Sequence, residues 1–169
     1  MKFEIIQNLE GSRDEVERIM LHPELAARLE ERVELVNKIE ELERVDTEKK
    51  LTRKTRYLPV PMIKKVGTKT VEPEWMEWIE TLEFDKERHV GSFVNVPCRK
   101  TIADLMTNRG TIQLEASGES STRRIIRGEL NIKIFVVGKI AEKIIYQNAK
   151  SLLKSEADAL NDILREGLL

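Results

Sequence analysis

The sequence predicts an α+β fold in which a curved antiparallel sheet of about six or seven strands wraps around one long C-terminal helix. Three observations predict it. Segments between Val33 and Ile134 alternate apolar and polar residues with a period of two. From Val136 onward the apolar residues recur with the helical period instead. Between the first strand and the second lie two sets of helix-start signals.

The first strand is "KFEIIQNLE", broken by Gly11. "SRDE" follows as a capping box, with Ser12 as N-cap and Glu15 three residues later, and opens a short helix carrying Val16, Ile19 and Met20. His22-Pro23 interrupts it, because a proline disfavours helix at the preceding residue but suits the first turn of a new one. The second helix, "PELAARLEER", places Leu25 and Leu29 on one face. "VELVNKIEELERV" and "KKLTRKTRYLPV" then read as a strand pair around Asp46-Thr47-Glu48. "EWMEWIETLEFD" carries Met76, Trp78, Leu82 and Phe84 on one parity, and "HVGSFVNVPC" carries Val90, Val94, Val96 and Cys98. "RGTIQLEASG" puts Ile112, Leu114 and Ala116 in phase. "TRRIIRGELNIKI" sets Ile126, Leu130, Ile132 and Ile134 against Arg127, Glu129, Asn131 and Lys133. Such alternation marks an antiparallel sheet with one wet face. The final helix runs from Val136 to Glu166, about 45 Å at ~1.5 Å per residue, and Gly167 supplies its terminal cap.

Composition narrows the function classes. The chain of 169 residues is 40% hydrophobic and 35% charged with a net charge of −1, as for a soluble protein folded as a single domain over 1–169. A general nucleic-acid binder carries a basic excess, so no nucleic-acid partner is expected. One cysteine, Cys98, forms no intrachain disulfide. The opening residues show no apolar signal core, and no apolar run reaches the ~18 residues of a membrane span, so a cytoplasmic location is expected. His22, His89 and Cys98 lack metal-ligand spacing, and no phosphate loop, dinucleotide fingerprint or nucleophile elbow is present; neither metal nor cofactor is expected.

A one-sided sheet needs a cover, and the last helix is the only element long enough. Gly91, Ser92, Gly110, Gly118 and Gly128 lie inside strands and permit bulges and sharp curvature. A strongly curved sheet does not collapse fully onto one helix. With only 5% aromatic residues to fill the gap, an apolar space is expected to remain.

That order of elements resembles the helix-grip fold of the START and birch-pollen-allergen (SRPBCC) superfamily. The likeness is carried by "KFEIIQNLEGSRDEVERIMLHPE", "VELVNKIEELE" and "GKIAEKIIYQNAKSLLKSEADALNDIL" and covers nearly the whole chain. "LTRKTRYLPVPMIKKVG" is similar, more narrowly, to PRELI-type phospholipid-transfer domains. The resemblance implies a START-like domain with a tunnel for a hydrophobic ligand between sheet and final helix. Its walls would include Trp78, Glu80, Leu82, Phe84, Val94, Met106, Ile112, Leu114, Ile126, Leu130, Ile140 and Ile144. The function expected first is binding, and transfer, of a lipid or other large hydrophobic molecule. The alternatives are a cyclase or hydratase using a cavity carboxylate and a co-chaperone-like interaction module.

In such a fold the segment from Arg56 to Lys69 sits at the tunnel mouth. Val60, Met62 and Ile63 would form a lid, with Lys64, Lys65 and Lys69 meeting anionic headgroups at a membrane surface. The alternative is a loop packed on the core. Lys139 and Lys143 begin a basic half of the last helix, against the helix dipole, and either complete an anion site with the loop lysines or form a solvated face. Glu80 shares its parity with Trp78, Leu82 and Phe84. A regular strand turns it inward, where its pKa rises and it serves as an acid or base; a bulge turns it outward. Asp104 and Arg124 pose the same choice at strand ends, and an Arg–carboxylate pair at the cavity mouth is one outcome.

Overall fold

The computed structural model describes residues 1–60, 65–66, 69–70, 73–133 and 138–169, the side chains at 65, 66, 69, 70, 73, 138 and 140 excepted. Strand β1 (Lys2–Leu9) leads into helices α1 (Arg13–Met20) and α2 (Leu25–Arg32), then β2 (Val36–Asp46) and β3 (Lys50–Pro59). A two-stranded hairpin, β4 (Lys65–Val66) with β5 (Lys69–Thr70), and a 3-10 turn at Pro73–Met76 precede β6 (Trp78–Asp85) and β7 (Val90–Pro97). Helix α3 (Lys100–Ala103), β8 (Met106–Gly118), β9 (Ser121–Ile132) and α4 (Gly138–Glu166) complete the chain. Seven strands form one antiparallel sheet in the order β1-β9-β8-β7-β6-β3-β2. This curved sheet with a long C-terminal helix is the helix-grip α+β architecture.

Local chemistry places each piece. The capping box at α1 is complete: the Ser12 hydroxyl accepts from the Glu15 amide, and the Glu15 carboxylate accepts from the Ser12 amide at 2.9 Å. These bonds hold the Glu15 carboxyl below the usual range. Register shifts at Val36/Lys38 and Glu41/Glu43 in β2, and at Ala116/Gly118 in β8, are the bulges that bend the sheet. Gly110 and Gly128 face each other across β8 and β9. A Cβ on Gly128 would lie 2.3 Å from the Phe3 ring, and one on Gly110 2.7 Å from the Phe93 ring. These two glycines are the hollow that accommodates the aromatic rings.

The second half of α4 lies against the concave face, where Leu160 and Ile163 are fully buried with Leu9, Val16, Ile19, Leu51 and Phe84. Each such apolar side chain contributes about 1.5–3 kcal/mol by burial. The start of α4 is pinned differently. Glu142 accepts the Ile132 backbone amide at 3.0 Å and the N-terminal ammonium at 3.4 Å, which lowers its pKa. At the far end Gly167 takes the left-handed conformation (φ 61°) that ends the helix.

Two strand and helix phases differ from expectation. In β7 it is Gly91, Phe93 and Pro97 that are buried, while Val94 and Val96 are 45% and 49% exposed. Phe93, the one bulky residue of the strand, takes the inner face, and the convex face tolerates valines because it needs no polar cover everywhere. On α4, Tyr146 packs against Phe3 with ring centroids 5.6 Å apart. Two residues earlier on a helix is about 200° away, so Ile144 points outward and is 42% exposed. Among the described residues no helix is long and apolar enough to cross a membrane.

Candidate functional site

Between the concave face, α2 and the middle of α4 lies a cavity of about 60 Å³. It is partly open to solvent and far smaller than the acyl-sized tunnel expected. Its wall is also more polar than expected. Leu25, Leu29, Leu82, Ile112, Ile126 and Leu153 supply the apolar part; Arg53, Thr55, Tyr57, Glu80, Arg124 and Glu156 supply the rest.

Strand β6 is regular through Glu80, pairing Thr55 with Glu80 and Glu80 with Asn95 without a bulge. Alternation therefore turns Glu80 inward with Leu82 and Phe84. Among the described residues no hydrogen bond holds its carboxyl, and desolvation raises its pKa to about 7. The Glu156 carboxylate adds to the rise, whereas Arg53 and Arg124 oppose it. Tyr57 stacks on Trp78 with centroids 5.1 Å apart and planes 9° apart. Burial, then the Glu80 charge, pushes its phenol well above its ordinary value, so it stays a neutral donor.

Arg124 is 2% exposed on β9. Its Nε donates to Gln7 Oε1 at 2.6 Å and its Nη1 to Glu156 Oε1 at 2.7 Å, while Gln7 Nε2 donates to the Leu153 carbonyl at 2.6 Å. This chain of bonds ties β9 and β1 to α4 beside the cavity, and supplies the Arg–carboxylate pair that the parity of Arg124 left open. Three buried polar atoms of the wall find no partner among the described residues: Arg53 Nε, Thr55 Oγ1 and Arg124 Nη2. The site thus combines one raised carboxyl with several unspent donors around one partly open pocket.

The remaining expected residues fall elsewhere. Trp78 is half-buried above Tyr57; Phe84, Leu114 and Leu130 are buried in the core, and Met106 is half-buried. Val94 and Ile144 are exposed and are not part of this cavity's wall, for the reasons given above. Asp104 is exposed at the end of α3. An unforeseen helical turn at Lys100–Ala103 takes it out of strand phase, so it is no cavity carboxylate. Cys98 is exposed; desolvation and the Glu77 carboxylate raise its thiol pKa, which disfavours the thiolate. Val60 is half-buried and donates its amide to the Leu35 carbonyl at 3.0 Å. Met62, Ile63 and Lys64 lie outside the described residues, as do the side chains of Lys65, Lys69 and Ile140. Lys139 and Lys143 are exposed on α4.

The residues not foreseen were Arg53, Thr55, Tyr57 and Glu156. A signal for each exists. Arg53, Thr55 and Tyr57 share parity with Leu51, which is 0% exposed, so "LTRKTRY" writes polar residues onto a core face. Glu156 sits at helical spacing between Leu153 and Leu160, inside the apolar stripe.

Similar solved structures share this architecture. The norcoclaurine synthase of Thalictrum flavum, as a point mutant in complex with a transition-state analogue, aligns at TM-score 0.71 and 19% identity over 100% of this chain and 96% of its own. The protein TTHA0849 of Thermus thermophilus aligns at 0.67 and 21% identity over 95% and 97%. The ZhuI aromatase/cyclase of Streptomyces sp. R1128 aligns at 0.66 and 11% over 97% and 95%. At these identities the likeness is one of fold. No curated protein sequence matches the chain. Residues 5–164 match the family described as "Protein of unknown function (DUF2505)", and the chain belongs to that family.

Proposed function

We propose that the whole chain, 1–169, acts as one ligand-binding unit that seats the carbonyl end of a small organic molecule in the cavity. Glu80 then moves a proton on the carbon beside the carbonyl. The observation that carries this reading is an inward-turned, half-buried carboxyl with no hydrogen bond among the described residues, beside Arg53, Thr55 and Arg124 atoms that also lack partners there. A general base works best with a pKa near the operating pH, and a pKa of about 7 meets that condition. The Glu80 carboxylate would take the proton from carbon, the C–H electron pair would become the C=C bond of the enolate, and the carbonyl π pair would move onto the oxygen. An Arg53 or Arg124 N–H or the Thr55 hydroxyl would meet the enolate charge. Return of a proton from Glu80 reverses the step, and in D₂O exchange of the Glu80 carboxyl with solvent makes the returning nucleus a deuteron. That a cyclase and a synthase share the fold supports reactive chemistry in such a cavity, though fold alone does not assign it.

Deuterium uptake into the methyl group of acetophenone in D₂O, followed by ¹H NMR, tests the proposal. The protein is expected to accelerate uptake, and Glu80→Gln to slow it by about 10²–10⁴-fold while leaving the fold intact. Equal uptake with both proteins would refute the role of Glu80.

A second reading keeps the chain as a carrier for an apolar or phospholipid ligand. It is favoured by the apolar half of the wall and opposed by the volume of about 60 Å³. Exposure to anionic liposomes followed by native mass spectrometry separates the two: a lipid adduct supports the carrier, an unchanged mass the first reading.

A further inference from the structure

The polar character of the concave face does not end at Glu80. The register lines up Thr55, Glu80, Asn95, Asn108 and Leu130 as directly opposed residues on β3, β6, β7, β8 and β9. They form one continuous row across the sheet. Asn95 lies between the outward Val94 and Val96, and Asn108 beside the exposed Arg109, so both belong to the inner parity. The Oδ1 atoms of Asn95 and Asn108 are buried and unpartnered among the described residues, as is Thr55 Oγ1 in the same row. Native proteins pair nearly all such atoms. Here three of them, with the unbonded Glu80 carboxyl, fall in a single row.

Two asparagines side by side could satisfy each other, amide nitrogen to amide oxygen, and in this structure they do not. Rotation about the last side-chain bond exchanges oxygen and nitrogen, so the pair presents an acceptor and a donor together. A hydroxyl matches that pair, since it donates through its hydrogen and accepts through its oxygen. Strands are about 5 Å apart, which sets Asn95 one spacing and Asn108 two spacings from Glu80.

We infer that Asn95 and Asn108 form a second polar subsite that takes a hydroxyl of the ligand about 5–10 Å along the concave face from Glu80. Neither asparagine belongs to the wall of the Glu80 cavity, so a ligand reaches them by parting the side chains between; the inference rests on the reading of that cavity as a ligand site and specifies which molecules it prefers. The ligand class is a carbonyl compound with a hydroxyl at its far end.

Two measurements test it. The first needs no ligand: Asn95→Leu and Asn108→Leu should leave Tm unchanged or raised, because a buried amide oxygen without a partner contributes nothing that leucine fails to supply. A fall of several degrees would mean that the amides hold the fold together, and would overturn the subsite. The second compares acetophenone with 4-hydroxyacetophenone by isothermal titration. The hydroxylated probe should bind the native chain about tenfold more tightly, one hydrogen-bonded group's worth. That advantage should vanish in either leucine variant while acetophenone binding persists. Equal affinity of the two probes for the native chain, or a preference that survives both substitutions, would overturn the subsite and leave the cavity reading standing. Failure of both probes to bind at all would overturn both.

Discussion

Replacing Glu80 by glutamine removes one titrating group from an otherwise unchanged pocket, and the pH dependence of stability then reports on that group alone. The folded-state pKa is about 7 against an ordinary 4.5. At about 1.4 kcal/mol per pKa unit, that rise corresponds to a total on the order of 3 kcal/mol. Its sign follows from where protons are bound. Between pH 4.5 and 7 the unfolded chain has lost the Glu80 proton while the folded chain keeps it, so stability falls as pH rises. The stabilisation is complete below pH 4.5 and gone once the pH has passed through 7. Over the practical range from pH 5 to 8 the loss is on the order of 2–3 kcal/mol. Urea unfolding followed by tryptophan fluorescence at several pH values measures it, with Trp78 beside Tyr57 as the local reporter. The stability of the native chain minus that of Glu80→Gln should decline by that amount between pH 5 and 8. A difference that stays flat would show that Glu80 ionises as an ordinary carboxylate, and the proposed base would lose its basis.

Other outcomes follow from neighbouring parts of the molecule. Arg124→Ala leaves Glu156 and Gln7 without their buried partner and should cost about 3–5 kcal/mol in urea unfolding. The double change Arg124→Met with Glu156→Leu should recover most of that loss. Gly110→Ala would set a Cβ 2.1 Å from the Arg127 carbonyl oxygen and 2.8 Å from the Gly128 Cα, both backbone; Tm should fall by the equivalent of at least about 1–3 kcal/mol. Ser12→Ala removes the cap of α1 and should cost about 1 kcal/mol.

Much of the fold is written locally. The alternation in β8 and β9, the capping box at Ser12 and the apolar stripe of α4 each depend on residues close together in sequence, and the expected elements formed there. The phase of β7 was harder, because valine suits either face and only the bulk of Phe93 against Gly110 decides which side turns inward. Ile144 was lost for a similar reason: the Tyr146–Phe3 contact sets the rotation of α4 and joins residues at opposite ends of the chain. The site was legible in Glu80, whose parity places it inside if the strand is regular. Arg53, Thr55 and Tyr57 carry the same parity signal on β3, but polar residues on a core face read as a wet face until a partner strand is known. The size of the cavity was not legible at all. It depends on how closely α2 approaches the sheet, and no periodicity encodes that distance.

The most direct test is a ¹³C NMR titration of the Glu80 side-chain carboxyl, assigned by comparison with Glu80→Gln. A midpoint near pH 7 is the result this account predicts. A midpoint in the ordinary range near 4.5 would mean that water or a tighter ion pair already satisfies the carboxyl, and would contradict it.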